Sequence, residues 1–188
     1  MKTKFVLIGA LVAGLVIFVW GAAWNTSLDG LVLKQFANDQ AVATAVRQAA
    51  PANGLYFSSR GVIAAVRMAP DLRDLSNAPM GPFLIKEGIT DIALGALLAM
   101  LVLAFGLVTV LRDGVLLGLA GLAAGVGVSF SNAIWFGFPW SFALLETGEQ
   151  VFGWLLAGLA LGLLRRRLLR EPVPAAAAAQ PRPTAVAA

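Results

Sequence analysis

The 188-residue sequence contains no cysteine, no histidine and a single tyrosine, Tyr56. Without cysteine there is no disulfide framework, no thiol nucleophile and no thiolate metal site. Without histidine the usual imidazole base and commonest metal ligand are missing too. Together these absences remove most familiar membrane redox and metalloprotease chemistry. The standard catalytic patterns are also missing: there is no P-loop, GxGxxG, GxSxG or HExxH. Ser58 and Ser59 have no histidine to activate them, and pairing either with Lys86 rests on nothing but the presence of both. An enzyme is the least supported class, and no cofactor or metal is expected. Charge is scarce as well, at 13% of residues against 59% hydrophobic, with a mean hydropathy of +0.83.

What the chain has instead is apolar length. Four runs stand out, at residues 5–24, 89–111, 115–134 and 151–164. Three are near the ~20 residues a helix needs to cross the hydrocarbon core, and the fourth reaches that length if it begins near Thr147. The expected fold is an all-α membrane protein, a four-helix transmembrane bundle. Spans are expected at 1–24, 89–111, 115–134 and 147–164. A small α+β extracytoplasmic module at 25–88 separates the first two. An aromatic loop at 135–146 joins the last two, and a basic stop with a disordered Ala/Pro tail occupies 165–188.

Orientation follows from Lys and Arg at the span ends. Lys2 and Lys4 precede the first span, Arg112 is placed in the turn between the second and third, and Arg165, Arg166, Arg167 and Arg170 follow the fourth. The connection from Trp135 to Trp140 has neither Lys nor Arg. All the basic ends share one side only if the chain crosses an even number of times, so both termini are expected in the cytoplasm. The net charge of +4 and pI near 10.1 reflect topology and anionic lipid, not nucleic acid. The Ala, Gly and Arg bias with little Lys suggests a GC-rich bacterium, hence an inner membrane. Gly21-Ala22-Ala23 after an apolar run also fits a cleavable signal peptide, but the run is long and Trp20 and Trp24 look interfacial. A retained anchor is the favoured reading.

Within 25–88, Asn38 or Asp39 can cap a helix over residues 41–49, with Phe36 and Val42 placed as a staple. Residues 51–54 break the chain; 55–59 and 62–68 read as two strands joined at Arg60-Gly61. The stretch 70–82 is expected to be irregular. Each span carries small residues at helical spacing. In the third, Gly118, Gly121, Gly125, Ser129 and Asn132 form one stripe, and in the fourth Gln150, Gly153, Ala157 and Ala160 do the same. Small residues let helix backbones approach where lipid offers no hydrophobic driving force. Gly158 and Gly162 form a GxxxG on another side of the fourth span, a possible homodimer face.

Two clusters are candidate sites. Asp91, Asn132, Glu146, Glu149 and Gln150 gather at the outer end of the bundle. Acids at membrane depth mark functional sites by default, and facing carboxylates can hold a proton or cation. The plainer reading, capping and interface solvation, is stronger here: spans two and four begin at this end, first-turn acids complement the helix dipole, Thr147 with Gln150 fits a capping box, and water reaches side chains within about a turn of the interface. The second cluster is Trp135, Phe136, Phe138 and Trp140. It is either a hydrophobic patch for lipid tails, a quinone-like ligand or another membrane helix, or an aromatic belt with a turn set by Gly137 and Pro139.

The order of basic start, span, outer segment with residues 54–57, then Trp135-Phe136-Gly137-Phe138-Pro139 and Gly153-Trp154-Leu155-Leu156-Ala157-Gly158 resembles a family. It is similar to small uncharacterised four-span inner-membrane proteins of bacteria. The resemblance implies a fold and a location and supplies no activity. Members often carry His or Tyr just before the Trp of span three, where this chain has Asn132, Ala133 and Ile134. The functional expectation is a non-enzymatic accessory or scaffold protein contacting a partner complex or lipid through its periplasmic module and aromatic loop. The alternative is a small transporter or proton- or cation-coupled protein using Asp91, Glu146 and Glu149.

Overall fold

The computed structural model describes residues 2–32, 36–50, 52, 54–59, 63–66, 81–105 and 109–169. The chain is mainly helical: α1 (Lys2–Val32), α2 (Asp39–Ala49), β1 (Gly54–Phe57), β2 (Ile63–Val66), α3 (Gly81–Phe105), α4 (Val110–Gly125), a π-helical turn (Val126–Phe130), α5 (Ser131–Phe136) and α6 (Trp140–Leu168). Helix α4, the π-helical turn and α5 run on as one rod, Val110–Phe136. That rod, α1, α3 and α6 are four helices long and apolar enough to cross a membrane. At 1.5 Å per residue even the 25 residues of α3 extend about 37 Å, more than the ~30 Å hydrocarbon core. This is the architecture of a multi-pass membrane protein.

The helices outrun their apolar runs. Helix α3 starts at Gly81, with Pro82 tolerated in its first turn, where its missing N–H is not needed. Helix α6 starts at Trp140, directly after Pro139, so the expected loop 135–146 shrinks to residues 137–139. Gly137 closes α5 in the left-handed region at φ 72°, where a side chain would be strained. The turn between the second and third spans also moves. Thr109 caps α4, its hydroxyl oxygen accepting from the Arg112 N–H at 3.3 Å, so Arg112 lies inside the helix and not in the turn.

The segment between α1 and α3 is only partly described. Asn38 caps α2 as expected, its side chain accepting from the Ala41 N–H at 2.9 Å. Phe36 is exposed, so the staple on Val42 does not form, and α2 buries none of its residues. Strands β1 and β2 pair antiparallel, Gly54 opposite Val66 and Phe57 opposite Ile63. The tyrosine Tyr56 folds back on Ala52, accepting from its N–H and donating to its carbonyl. The Arg60-Gly61 turn, residues 70–80 and the tail from 170 onward lie outside the described residues.

Helix α1 runs antiparallel to both α3 and α6, and α4 runs antiparallel to α6. All four spans contribute to one core: Phe5 and Ala13, Leu98, Ala99 and Val102, Leu117, then Ala157 and Leu161. Small residues set the spacing. A Cβ on Gly95 would fall 2.5 Å from the Ala10 carbonyl oxygen, and one on Gly121 would fall 2.6 Å from that of Gln150. Gly118 and Gly125 face Leu155 and Thr147 of α6 in the same way. Helix α6 uses two faces: Gly153 lies against Trp20 of α1, while Gly158 and Gly162 lie against Asp113 and Val110. The GxxxG is therefore an internal contact with α4 and is not available as a homodimer face. Leu7, Leu11, Leu15, Leu119 and Leu163 point outward, as lipid-facing side chains should.

The π-helical turn shifts the small-residue stripe. Its wider turn inserts one residue into the register, so Ser129 is followed on the buried face by Ala133 and not by Asn132.

Candidate functional site

We call the end of the bundle holding Lys2 and Arg165 basal, and the end holding the Gly137–Pro139 turn apical. At the apical end, α1, α3 and α6 line an open cavity of about 410 Å³. Helix α3 supplies Glu87 and Asp91, four residues apart on one face, with Thr90 beside them. Helix α6 supplies Glu146, Glu149 and Gln150, again one face by spacing. Of the five polar residues expected to cluster, four meet here. Asn132 does not line the cavity, since the rod that carries it packs against α6 and contributes none of the lining residues.

The helix starts overturn the capping explanation for these acids. Asp91 sits ten residues into a helix that begins at Gly81, and Glu146 six residues into one that begins at Trp140. Neither helix has an acidic residue in its first turn, and the dipole effect fades beyond that turn. Thr147 is not a cap either. It is buried in mid-helix, and its hydroxyl donates to the Ala143 carbonyl at 2.8 Å. These polar side chains have been carried into the bundle, not placed at its helix ends.

Close backbone contacts hold the cavity walls. A Cβ on Gly14 would meet the Asp91 carbonyl oxygen at 2.9 Å and the Ile92 Cα at 2.8 Å, so α1 and α3 touch at the level of Asp91. That contact leaves Asp91 only 6% exposed. Its carboxylate makes no hydrogen bond to any described residue. Gly21 makes room for Glu149, whose Oε1 lies 2.8 Å from where a Cβ would stand and accepts from Asn25 Nδ2 at 3.4 Å.

The rest of the lining is apolar, from Ile17 and Trp20 on α1, Leu94 on α3 and Trp154 on α6. Trp20 lies over Gly153 and packs with Trp24 and Phe152, ring centroids 5.4 and 6.3 Å away. Beneath this floor lies the shared apolar core of Ala13, Leu98, Ala99 and Ala157. Among the described residues, no three acidic side chains come close enough together to hold a metal ion.

A second polar feature sits basally and was invisible as a pair in the sequence. Arg165 Nη2 donates to Asp113 Oδ2 at 2.8 Å, with Asp113 fully buried and the Arg165 side chain 15% exposed. Asp113 Oδ1 and Arg165 Nε have no hydrogen-bond partner among the described residues. Gly162 makes the pair possible, since a Cβ there would fall 2.8 Å from Asp113 Oδ2.

The aromatic cluster stays on the surface. Trp135, Phe136, Phe138 and Trp140 are all exposed, and Trp140 packs edge-on against Phe130 at 5.4 Å. Sequence reasoning did not place Glu87, Trp20, Trp154 or Asn25 in the site. The i, i+4 spacing of Glu87 and Asp91 was the one available signal.

No family model, curated protein or solved structure matches the chain, so the layout resemblance stands on its residues alone.

Proposed function

We propose that this is a non-enzymatic accessory protein of a bacterial inner membrane that receives a cationic group in its apical cavity. The observation that carries the reading is the lining of one cavity by Glu87, Asp91, Glu146 and Glu149, away from any helix start that would explain them. Of these four Asp91 is the buried one, and an acid buried at this depth is costly and is kept where it meets a ligand or partner. The basic residues Lys2, Lys4, Arg165, Arg166 and Arg167 at the basal end support cytoplasmic termini. The cavity then opens toward the periplasm, on the side of the membrane that also holds the exposed aromatic turn. That turn is suited to contact lipid or a partner membrane protein.

The transporter reading needs a polar route from the cavity to the basal side. Leu98, Ala99, Val102, Ala157 and Leu161 fill that space, which favours a receptive site over a conduit. Proteoliposomes carrying the purified protein test this choice. No proton or cation flux under an imposed gradient is expected. Flux that disappears in Asp91→Asn would establish the transporter instead. Orientation is tested in the same Cys-free chain with single cysteines at Ser59 and Ala176. A membrane-impermeant maleimide should label position 59 alone when only the outer membrane is permeable.

A further inference from the structure

The acidic wall does not by itself say which cation fits. Three observations narrow it. An inorganic divalent ion needs several oxygens converging at about 2.0–2.6 Å, and no such gathering of acids occurs among the described residues. The cavity, at about 410 Å³, is of the size that holds a small organic molecule. Its walls are also chemically divided. Asp91, nine-tenths buried and without a hydrogen-bond partner among the described residues, faces the space from α3. Trp20, Trp154, Ile17 and Leu94 supply apolar surface around it. A hydrated metal ion gains nothing from indole and leucine. An ammonium group on a hydrocarbon body gains from both walls, through charge at the carboxylate and through cation–π and apolar contact at the rings.

We infer that the apical cavity binds a small organic ammonium cation, with Asp91 as its buried counter-charge and Trp20 and Trp154 as its apolar wall. This rests on the reading of the cavity as a cation-receiving site and names the class of cation. Glu87, more exposed on the same wall, adds long-range attraction at the mouth.

The full-length protein in mild detergent is titrated with n-butylammonium and with tetraethylammonium chloride, followed by tryptophan fluorescence. Sodium, magnesium and calcium chloride at matched ionic strength run in parallel. A saturable change with an organic cation and none with the inorganic salts is expected. Asp91→Asn should weaken it by about tenfold or more, the loss of one charge-assisted contact. Trp135→Phe, outside the cavity, should leave the affinity unchanged. Because a change at a buried position can unfold the bundle, Glu87→Gln is measured beside it and should weaken binding about two- to fivefold, as for an exposed charge. Organic-cation binding that ignores both Asp91→Asn and Glu87→Gln overturns the inference, because the ligand then sits elsewhere. Calcium or magnesium binding that requires Asp91 also overturns it, yet leaves the cavity standing as a cation site. Silence toward every cation overturns the inference and the receptive-cavity reading together.

Discussion

The buried pair of Asp113 and Arg165 gives the sharpest test of how the bundle is held together. Asp113 has no exposure at all, and among the described residues its one hydrogen-bond partner is a guanidinium nitrogen of Arg165 at 2.8 Å. Removing one member leaves the other charged in a site built to exclude water. Such a loss costs about 3–5 kcal/mol, far more than the loss of a surface pair. Arg165→Met should therefore destabilise strongly, since methionine keeps the apolar stem and strands the carboxylate. Asp113→Leu should behave alike, as leucine has a similar branched outline but strands the guanidinium. The double variant differs. The native pair is incompletely satisfied, with Asp113 Oδ1 and Arg165 Nε lacking a hydrogen bond among the described residues. Replacing a buried pair by matched apolar groups is often neutral or stabilising, so the double variant should lie within about 1 kcal/mol of the parent. The assay is a double-mutant cycle read by reversible unfolding in one detergent. Single changes that cost little and add in the double variant would show that the pair is solvated and that Asp113 is not buried as described.

Two further outcomes follow from the packing. Gly121→Leu should destabilise the bundle by about 1–3 kcal/mol through overpacking, because even a Cβ there meets the Gln150 backbone. Leu119→Ile, at a position 60% exposed, should be nearly silent, and equal melting temperatures for the two would mean the faces are misassigned. Thr147→Val should cost under about 1 kcal/mol, since it removes a hydroxyl that only bonds back within its own helix. A loss of about 1–2 kcal/mol, the size expected for an N-cap, would restore the capping-box reading of α6.

The spans were legible because a helix in lipid must be apolar over about 20 residues. The stripes were legible because 3.6-residue periodicity needs no partner to be seen. Gly118, Gly121 and Gly125 do meet α6, and Gly153 meets α1. Helix ends were far less legible. Glu146 interrupts the apolar run of α6, and the tryptophan and phenylalanines before it read equally well as a loop. Only tertiary contact shows that residues 140–146 are helical. The π-helical turn is a further limit. A stripe extrapolated through it loses register by one residue, which moved Asn132 off the face it seemed to share with Ser129. Periodicity predicts a face only while the helix keeps its pitch.

The residues that surprised were charged. Arg112-Asp113-Gly114 has the composition of a turn, and Arg165 heads a run of arginines that serves topology by count alone. Neither fact distinguishes Arg165 from Arg166 or Arg167. What does is the pairing of α4 with α6, which places Asp113 beside a guanidinium 52 positions away, and Gly162, whose missing side chain leaves space for that carboxylate. The same logic governs the apical cavity. Gly14 and Gly21 on α1 set the distances at which Asp91 and Glu149 enter the bundle. At both ends, then, glycines that look like generic packing residues decide where an acid can be buried. A local reading of sequence finds the acid and the glycine but not the contact that joins them.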